Sequence, residues 1–208
     1  HVVATRQARP NLPTEGGPFC PGGIEAPDDY DVRWFPNRWP AMEGDRCEVV
    51  LYTPVHDASF SSLGQDGARK VIDLWAERTA TLGARTDVDF VLVFENRGPE
   101  VGATIAHPHG QIYAYDHIPE RQRRLAEAPW APDPQPGQRL IVEVEGWRAV
   151  VPYAATYPIA VDISPAGAIP DLPSATGAQR DGLAGGRLPG EDGLAGEDFH
   201  RGAFFFDR

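Results

Sequence analysis

An α+β fold is what this sequence predicts, on three observations. Two runs rich in β-branched and aromatic residues, 46–53 (RCEVVLYT) and 88–95 (VDFVLVFE), read as strands. Between them, residues 65–84 gather Val71, Ile72, Leu74, Trp75 and Leu82 on one side of a helix, with charges around the rest. Two further short strands, 139–145 and 147–153, flank the turn residues Glu145-Gly146. Strands with a packed helix give the α+β class.

In chain order, residues 1–30 are rich in Pro and Gly and read as an extended arm and loops. Segment 31–36 (DVRWFP) is a short strand. Segment 46–53 is a clear strand that runs into Pro54. The 65–84 helix follows, then 88–95, whose near-continuous apolar run predicts burial on both faces. Segment 107–116 (HPHGQIYAYD) alternates like a strand, and 119–128 is a short charged helix. From about residue 163 the chain is rich in Gly, Pro and Ala and nearly repeats itself, which predicts poor order. Ser174-Ala175-Thr176, with QRDGLA after it, hints at a helix that does not develop. This divides the chain into a first unit, 1–146, and the start of a second, 147–208, degenerate after about 163.

The 208 residues carry a net charge of −11, which disfavours non-specific binding to nucleic acid while leaving room for a small phosphate ligand. Lys70 is the one lysine; base-composition bias accounts for the arginine excess more simply than phosphate binding does. No apolar run is long enough to span a bilayer. The first residues show no signal-peptide pattern, so the expected location is cytoplasmic, with no membrane partner. Cys20 and Cys47 do not make a disulfide framework. Cys47 heads an apolar strand and reads as a buried thiol, whereas Cys20 lies in a Gly/Pro loop, where burial is the weaker explanation.

The chemistry concentrates at His107-Pro108-His109-Gly110-Gln111. In a strand, positions 107, 109 and 111 share a face. Pro108 suits a strand edge or bulge, and Gly110 would let a ligand approach the backbone. A histidine in this setting can attack phosphorus if its other ring nitrogen is held by a backbone carbonyl. Gln111 can donate to a phosphoryl oxygen but cannot protonate a leaving group, which favours an anion such as a sugar phosphate. A pair of core or metal-binding histidines is the competing reading of the bare motif.

The longer segment FENRGPEVGATIAHPHGQIYA closely resembles the active-site segment of the galactose-1-phosphate uridylyltransferases, a branch of the histidine-triad superfamily. TRQARP, PFCPGG, WFPNRWPAM, CEVVLYTPVHDASF and WRAVVPYAATYP also resemble family landmarks in the same order, over roughly residues 5–160. The resemblance implies a histidine-triad-like, mostly antiparallel sheet with packed helices, followed by an incomplete second unit. It implies a ping-pong exchange between UDP-glucose and galactose 1-phosphate through a uridylyl-histidine. His109 matches the nucleophile and Gln111 the residue holding the uridylyl phosphate. Asn96 and the Gly102-Ala103-Thr104 loop match the phosphate contacts, with Thr104 in place of a serine. Asn37 and Arg38 match a pair near the uridine, the second departing from an acidic residue. Arg6 and Arg9 match arm residues that reach the nucleotide across a subunit interface; a solvated arm explains them equally well.

The resemblance further implies a structural zinc at Cys20, His56 and His107, weakened because Gly17 stands where a ligand cysteine is found in zinc-binding members. A second family metal site is not expected, since Leu125 occupies its glutamate position, between Glu120 and Glu127. Family members are dimers, which allows a homodimer here. A related dinucleoside-polyphosphate phosphorylase and an inactive nucleotide-binding fragment are the two alternative readings.

Overall fold

The computed structural model describes residues 17–98, 101, 103–128, 135–155 and 160–185. Arg6, Arg9 and Gly102 lie outside the described residues. Seven strands and three α-helices are formed among them: β1 (Arg33–Pro36), β2 (Cys47–Leu51), α1 (Gly64–Gly83), β3 (Phe90–Phe94), β4 (His109–Tyr115), α2 (Glu120–Glu127), β5 (Leu140–Val144), β6 (Trp147–Val150), β7 (Asp162–Pro165) and α3 (Gly177–Gly185).

The first four strands form one antiparallel sheet in the order β1-β2-β4-β3. Because alternate residues face opposite sides, the sheet sorts its own sequence. Val50, Val91, Val93, Ile112 and Ala114 turn toward α1, which meets them with Val71, Ile72, Leu74, Trp75 and Leu82. Val49 and Leu51 turn the other way and pack with Phe19 and Ala26, covered in part by Tyr30, Phe35 and Ile105. His109 and Gln111 belong to this second face. β2 is buried along its whole length, as a central strand should be. β3 corrects the expectation of burial on both faces: it is an edge strand, and Leu92 and Phe94 are only half-buried.

α1 also holds a buried ion pair. Arg78 donates from Nε and Nη2 to the two Glu48 carboxylate oxygens at 2.9 and 2.7 Å, and its guanidinium lies 3.5 Å above the Trp34 ring. Removing one partner strands a charge in the core. Glu48→Ala is therefore expected to cost about 3–5 kcal/mol in urea unfolding, most of it recovered by adding Arg78→Met. Equal stabilities of the single and double variants would refute this account.

Two expectations need correction. The strand predicted over 107–116 begins only at His109, so His107 and Pro108 precede the ladder; Pro108 has no N–H to contribute. The stretch after 163 is not without structure. β7 completes an antiparallel sheet β5-β6-β7 through backbone bonds, which its Gly- and Pro-rich surroundings do not prevent. The expected division between 146 and 147 falls in the turn of the β5–β6 hairpin, where Glu145 and Gly146 adopt positive φ. α3 does develop, because Thr176 and Gln179 cap its start reciprocally: Gln179 N–H donates to Thr176 Oγ1 at 3.2 Å and Thr176 N–H to Gln179 Oε1 at 2.8 Å. It then docks on α1, with Arg180 donating to Asp73 at 3.1 Å and Arg69 bonded to Asp181 and to the Gly177 carbonyl. Gly182 must be glycine there, since a Cβ would lie 2.7 Å from the Glu145 carbonyl.

Candidate functional site

The site is built where β4 leaves the 101–108 loop, on the sheet face away from α1. His109 is buried. Its Nδ1 lies 2.7 Å from the His107 carbonyl oxygen. A carbonyl only accepts, so Nδ1 carries the proton and the ring lone pair is on Nε2. The Phe19 ring meets the imidazole at a centroid distance of 5.1 Å and fixes its tilt. Gln111, two residues along the same face, accepts at Oε1 from the Tyr113 hydroxyl at 3.3 Å; this turns its amide NH2 away from Tyr113.

Other expected residues fall around this pair to differing degrees. Phe94 pairs with Gln111, so extending the β3–β4 register by two residues places Asn96 beside His109 on the same face. Ala103 N–H donates to the Gly98 carbonyl at 3.2 Å. Thr104 Oγ1 is shut from solvent without a hydrogen-bond partner. Asn37 lies farther off. It continues β1 opposite Cys47, itself paired with Tyr113, about 12 Å from Gln111 by strand spacing and rise. Its Oδ1 accepts the Trp39 N–H at 2.9 Å. Arg38 is on the surface, paired with Glu25 at 2.9 Å.

Gly110 corrects another expectation. Its α-carbon faces α1, not the site. A Cβ there would lie 2.2 Å from the Tyr52 hydroxyl oxygen and 3.2 Å from the Phe94 carbonyl. The residue is glycine because Tyr52 fills the space behind it.

Cys20, His56 and His107 meet beside His109. The Cys20 sulfur is 3.5 Å from His56 Nδ1 and 3.7 Å from His107 Nδ1, and the three donor atoms lie within 4.8 Å of one another. Tetrahedral zinc with ordinary Zn–S and Zn–N bonds separates such atoms by about 3.6 Å, so these residues could hold a metal ion. The tautomer also fits: His107 Nε2–H donates to the Thr53 carbonyl at 2.8 Å, leaving Nδ1 as the ligand atom. Burial is the main cause holding the His107 imidazole below its usual pKa, which favours the neutral, ligating form. Gly17 contributes no side chain; its carbonyl accepts the Cys20 N–H at 3.2 Å. Glu120 and Glu127 are engaged by Arg123 on the exposed α2.

Sequence reasoning missed Phe19, Tyr30, Tyr52 and Glu95. The Tyr30 hydroxyl lies 2.7 Å from the Phe19 carbonyl, 2.9 Å from that of Thr53 and 2.9 Å from His107 Nε2. It thus ties the 17–30 loop to the histidine pair. A separate cleft of about 500 Å³ opens behind the sheet, lined in part by Asp31, Thr53, Asp57, Ser62 and Lys70; it contains neither His109 nor Gln111.

Residues 38–119 match the family model for the N-terminal domain of galactose-1-phosphate uridyl transferase. The chain is 41% identical over 180 residues to galactose-1-phosphate uridylyltransferase of Streptomyces lividans, covering 77% of this chain and 51% of that one. To the Thermotoga maritima protein of the same name it is 32% identical over 197 residues, covering 79% and 62%. Residues 38–119 belong to the N-terminal-domain family of the galactose-1-phosphate uridylyltransferases. The chain spans about half to three fifths of the length of these curated relatives. A solved uridylyltransferase mutant superposes with a TM-score of 0.73 at 27% identity, covering 84% of this chain and 67% of that one. An ADP-glucose phosphorylase from Arabidopsis thaliana, 21% identical with a TM-score of 0.71, shares the fold. Among the described residues no helix is long and apolar enough to cross a membrane.

Proposed function

We propose that this chain carries a uridylyl-transfer site of galactose metabolism, with His109 as its nucleophile. The observation that carries this reading is the 2.7 Å contact from His109 Nδ1 to the His107 carbonyl. It fixes one tautomer and aims basicity at Nε2. In the proposed first step Nε2 attacks the α-phosphorus of UDP-glucose. The N–P bond forms as the P–O bond to the sugar phosphate breaks, and glucose 1-phosphate departs as an anion. The uridylyl group is left on His109, and galactose 1-phosphate then attacks the same phosphorus to release UDP-galactose. Donors preorganised around the phosphoryl oxygens lower the barrier in both steps. Gln111 supplies one through its amide, with Asn96, Ala103 and Thr104 on the adjoining loop. Asn37 and Arg38 sit at a distance suited to the uridine end. Arg6, Arg9 and Gly102 complete this reading from the sequence resemblance alone, and a homodimer would bring the arms of two chains to each other's sites.

Zinc is the metal we assign to Cys20, His56 and His107. When bound it would be structural, pinning the His107 ring and the 17–20 turn. Cys20→Ala is expected to weaken zinc binding about 100-fold or more, measured by competition with a chromogenic chelator. Unchanged affinity would remove Cys20 from the ligand set.

The decisive experiment is to incubate the protein with UDP-glucose labelled at the α-phosphorus and look for acid-labile label on His109. Label from an adenine nucleotide in preference would identify a phosphorylase-type enzyme instead. UDP bound without any label would identify a nucleotide-binding fragment.

A further inference from the structure

Two ionisable side chains, Tyr52 and Glu95, lie behind Gly110, on the sheet face opposite His109, and uridylyl transfer does not use them. Tyr52 follows β2, and its N–H donates to the Pro108 carbonyl at 3.4 Å. Glu95 follows β3; extending that register by one residue past the Phe94–Gln111 pair sets it opposite Gly110. The two therefore flank residues 108–110 from the neighbouring strands. They are 1% and 4% exposed. Tyr52 Oη reaches so close to Gly110 that no larger residue fits. Neither Tyr52 Oη nor Glu95 Oε2 makes a hydrogen bond of good geometry, though the two groups are near enough to couple electrostatically.

An apolar side chain would fill such a space with less desolvation cost than a carboxyl group. Glu95 also has a privileged position in the chain. Asn96 follows it directly and shares the His109 face, so a shift of Glu95 moves a residue of the site on each of two strands.

We propose that Tyr52 and Glu95 are a positioning pair that clamps the start of β4 from behind and keeps His109 and Gln111 in register with Asn96. The clamp is closed by the neutral Glu95 carboxyl group and loosened when that group ionises. The charged and titratable groups that act on Glu95 in the structure are Arg97, in the loop after β3, and Tyr52. Burial is the dominant effect and pushes the Glu95 carboxyl up to about 7, with Arg97 and the Tyr52 hydroxyl pulling the other way. Below that pH the carboxyl is neutral and the clamp holds; above it a buried charge appears, and because burial outweighs the attraction of Arg97 and the Tyr52 hydroxyl, the carboxylate is driven toward water and the clamp loosens.

The proposal rests on the uridylyl-transfer reading, and its test separates the two. The rate of His109 labelling at saturating UDP-glucose is measured in wild type and in the isosteric Glu95→Gln from pH 6 to 8.5. The wild-type rate is expected to fall about tenfold above pH 7, the size of loss that a sub-ångström misplacement produces. Glu95→Gln should change by less than about twofold, with the half-saturating UDP-glucose concentration little altered in either protein, as for an interaction made in the transition state. Superimposable pH profiles would overturn the positioning role. Independently of catalysis, the proton NMR signal of His109 Nδ1–H should shift with a midpoint near pH 7 in wild type and not in Glu95→Gln. A signal indifferent to Glu95 would overturn the proposal even in an active enzyme. Failure of wild type to be labelled at any pH would instead count against uridylyl transfer, and the NMR comparison would still decide the clamp.

Discussion

His109→Ala is expected to abolish covalent labelling by UDP-glucose, lowering its rate by at least about 10³-fold, while Cys47→Ala leaves it within about twofold. The asymmetry follows from position. Both residues are buried and both belong to the same sheet, but Cys47 sits in the filled interior at the far end of β2, opposite Tyr113. Of these two residues, His109 is the one with a ring nitrogen whose partner nitrogen is already committed to a backbone carbonyl. Unfolding of the alanine variant is the trivial route to the same loss. A matching melting temperature, together with retained binding of UDP, would exclude it. Comparable labelling of the two variants would remove His109 as the nucleophile.

The second large effect is structural. Gly110→Ala places a methyl group where the Tyr52 hydroxyl stands, and a separation of 2.2 Å is far inside van der Waals contact. Tyr52 cannot swing aside, because Phe60 and Trp75 pack against its ring with centroids 5.7 Å away in each case. Overpacking of this kind costs on the order of 3 kcal/mol or more, and the strain falls on the strand that carries His109. Tyr52→Phe in the same chain removes the oxygen and should return a substantial part of the loss. The remaining contacts, 3.1 Å to the ring carbon and 3.2 Å to the Phe94 carbonyl, keep the recovery partial. The measurement is a double-mutant cycle in chemical denaturation. Strict additivity of the two substitutions would mean that Tyr52 is not what excludes a side chain at 110.

Much of the site was legible because its signals are local. His109 and Gln111 share a face by the two-residue period of a strand, and the need for a carbonyl on the other ring nitrogen could be stated before any partner was known. Cys20, His56 and His107 were grouped by resemblance, and the fold brings them together. What was not legible depends on distant contacts. Tyr30 bonds to His107 across 77 residues of sequence, and nothing near Tyr30 announces it. Gly110 illustrates the opposite hazard: the sequence marks the glycine but does not say which face of β4 is crowded, and it is Tyr52, not a ligand, that requires it. α3 had a usable signal in the Thr176–Gln179 spacing, which the surrounding glycines outweighed. Its stability comes from α1, through Arg69, Asp73, Arg180 and Asp181, and not from its own composition.

The acceptor that orients His109 is part of the main chain. Wherever a histidine is held by a neighbouring carboxylate, a single codon change can delete the support. Here no substitution at position 107 can delete the carbonyl oxygen, because every amino acid brings the same one. Such a change can alter the imidazole that faces Cys20 while the acceptor persists, so inheritance can vary the two roles of residue 107 separately. The vulnerability moves to whatever sets the path of the backbone, and the buried ring of Pro108, with its restricted φ, is the residue that bears it.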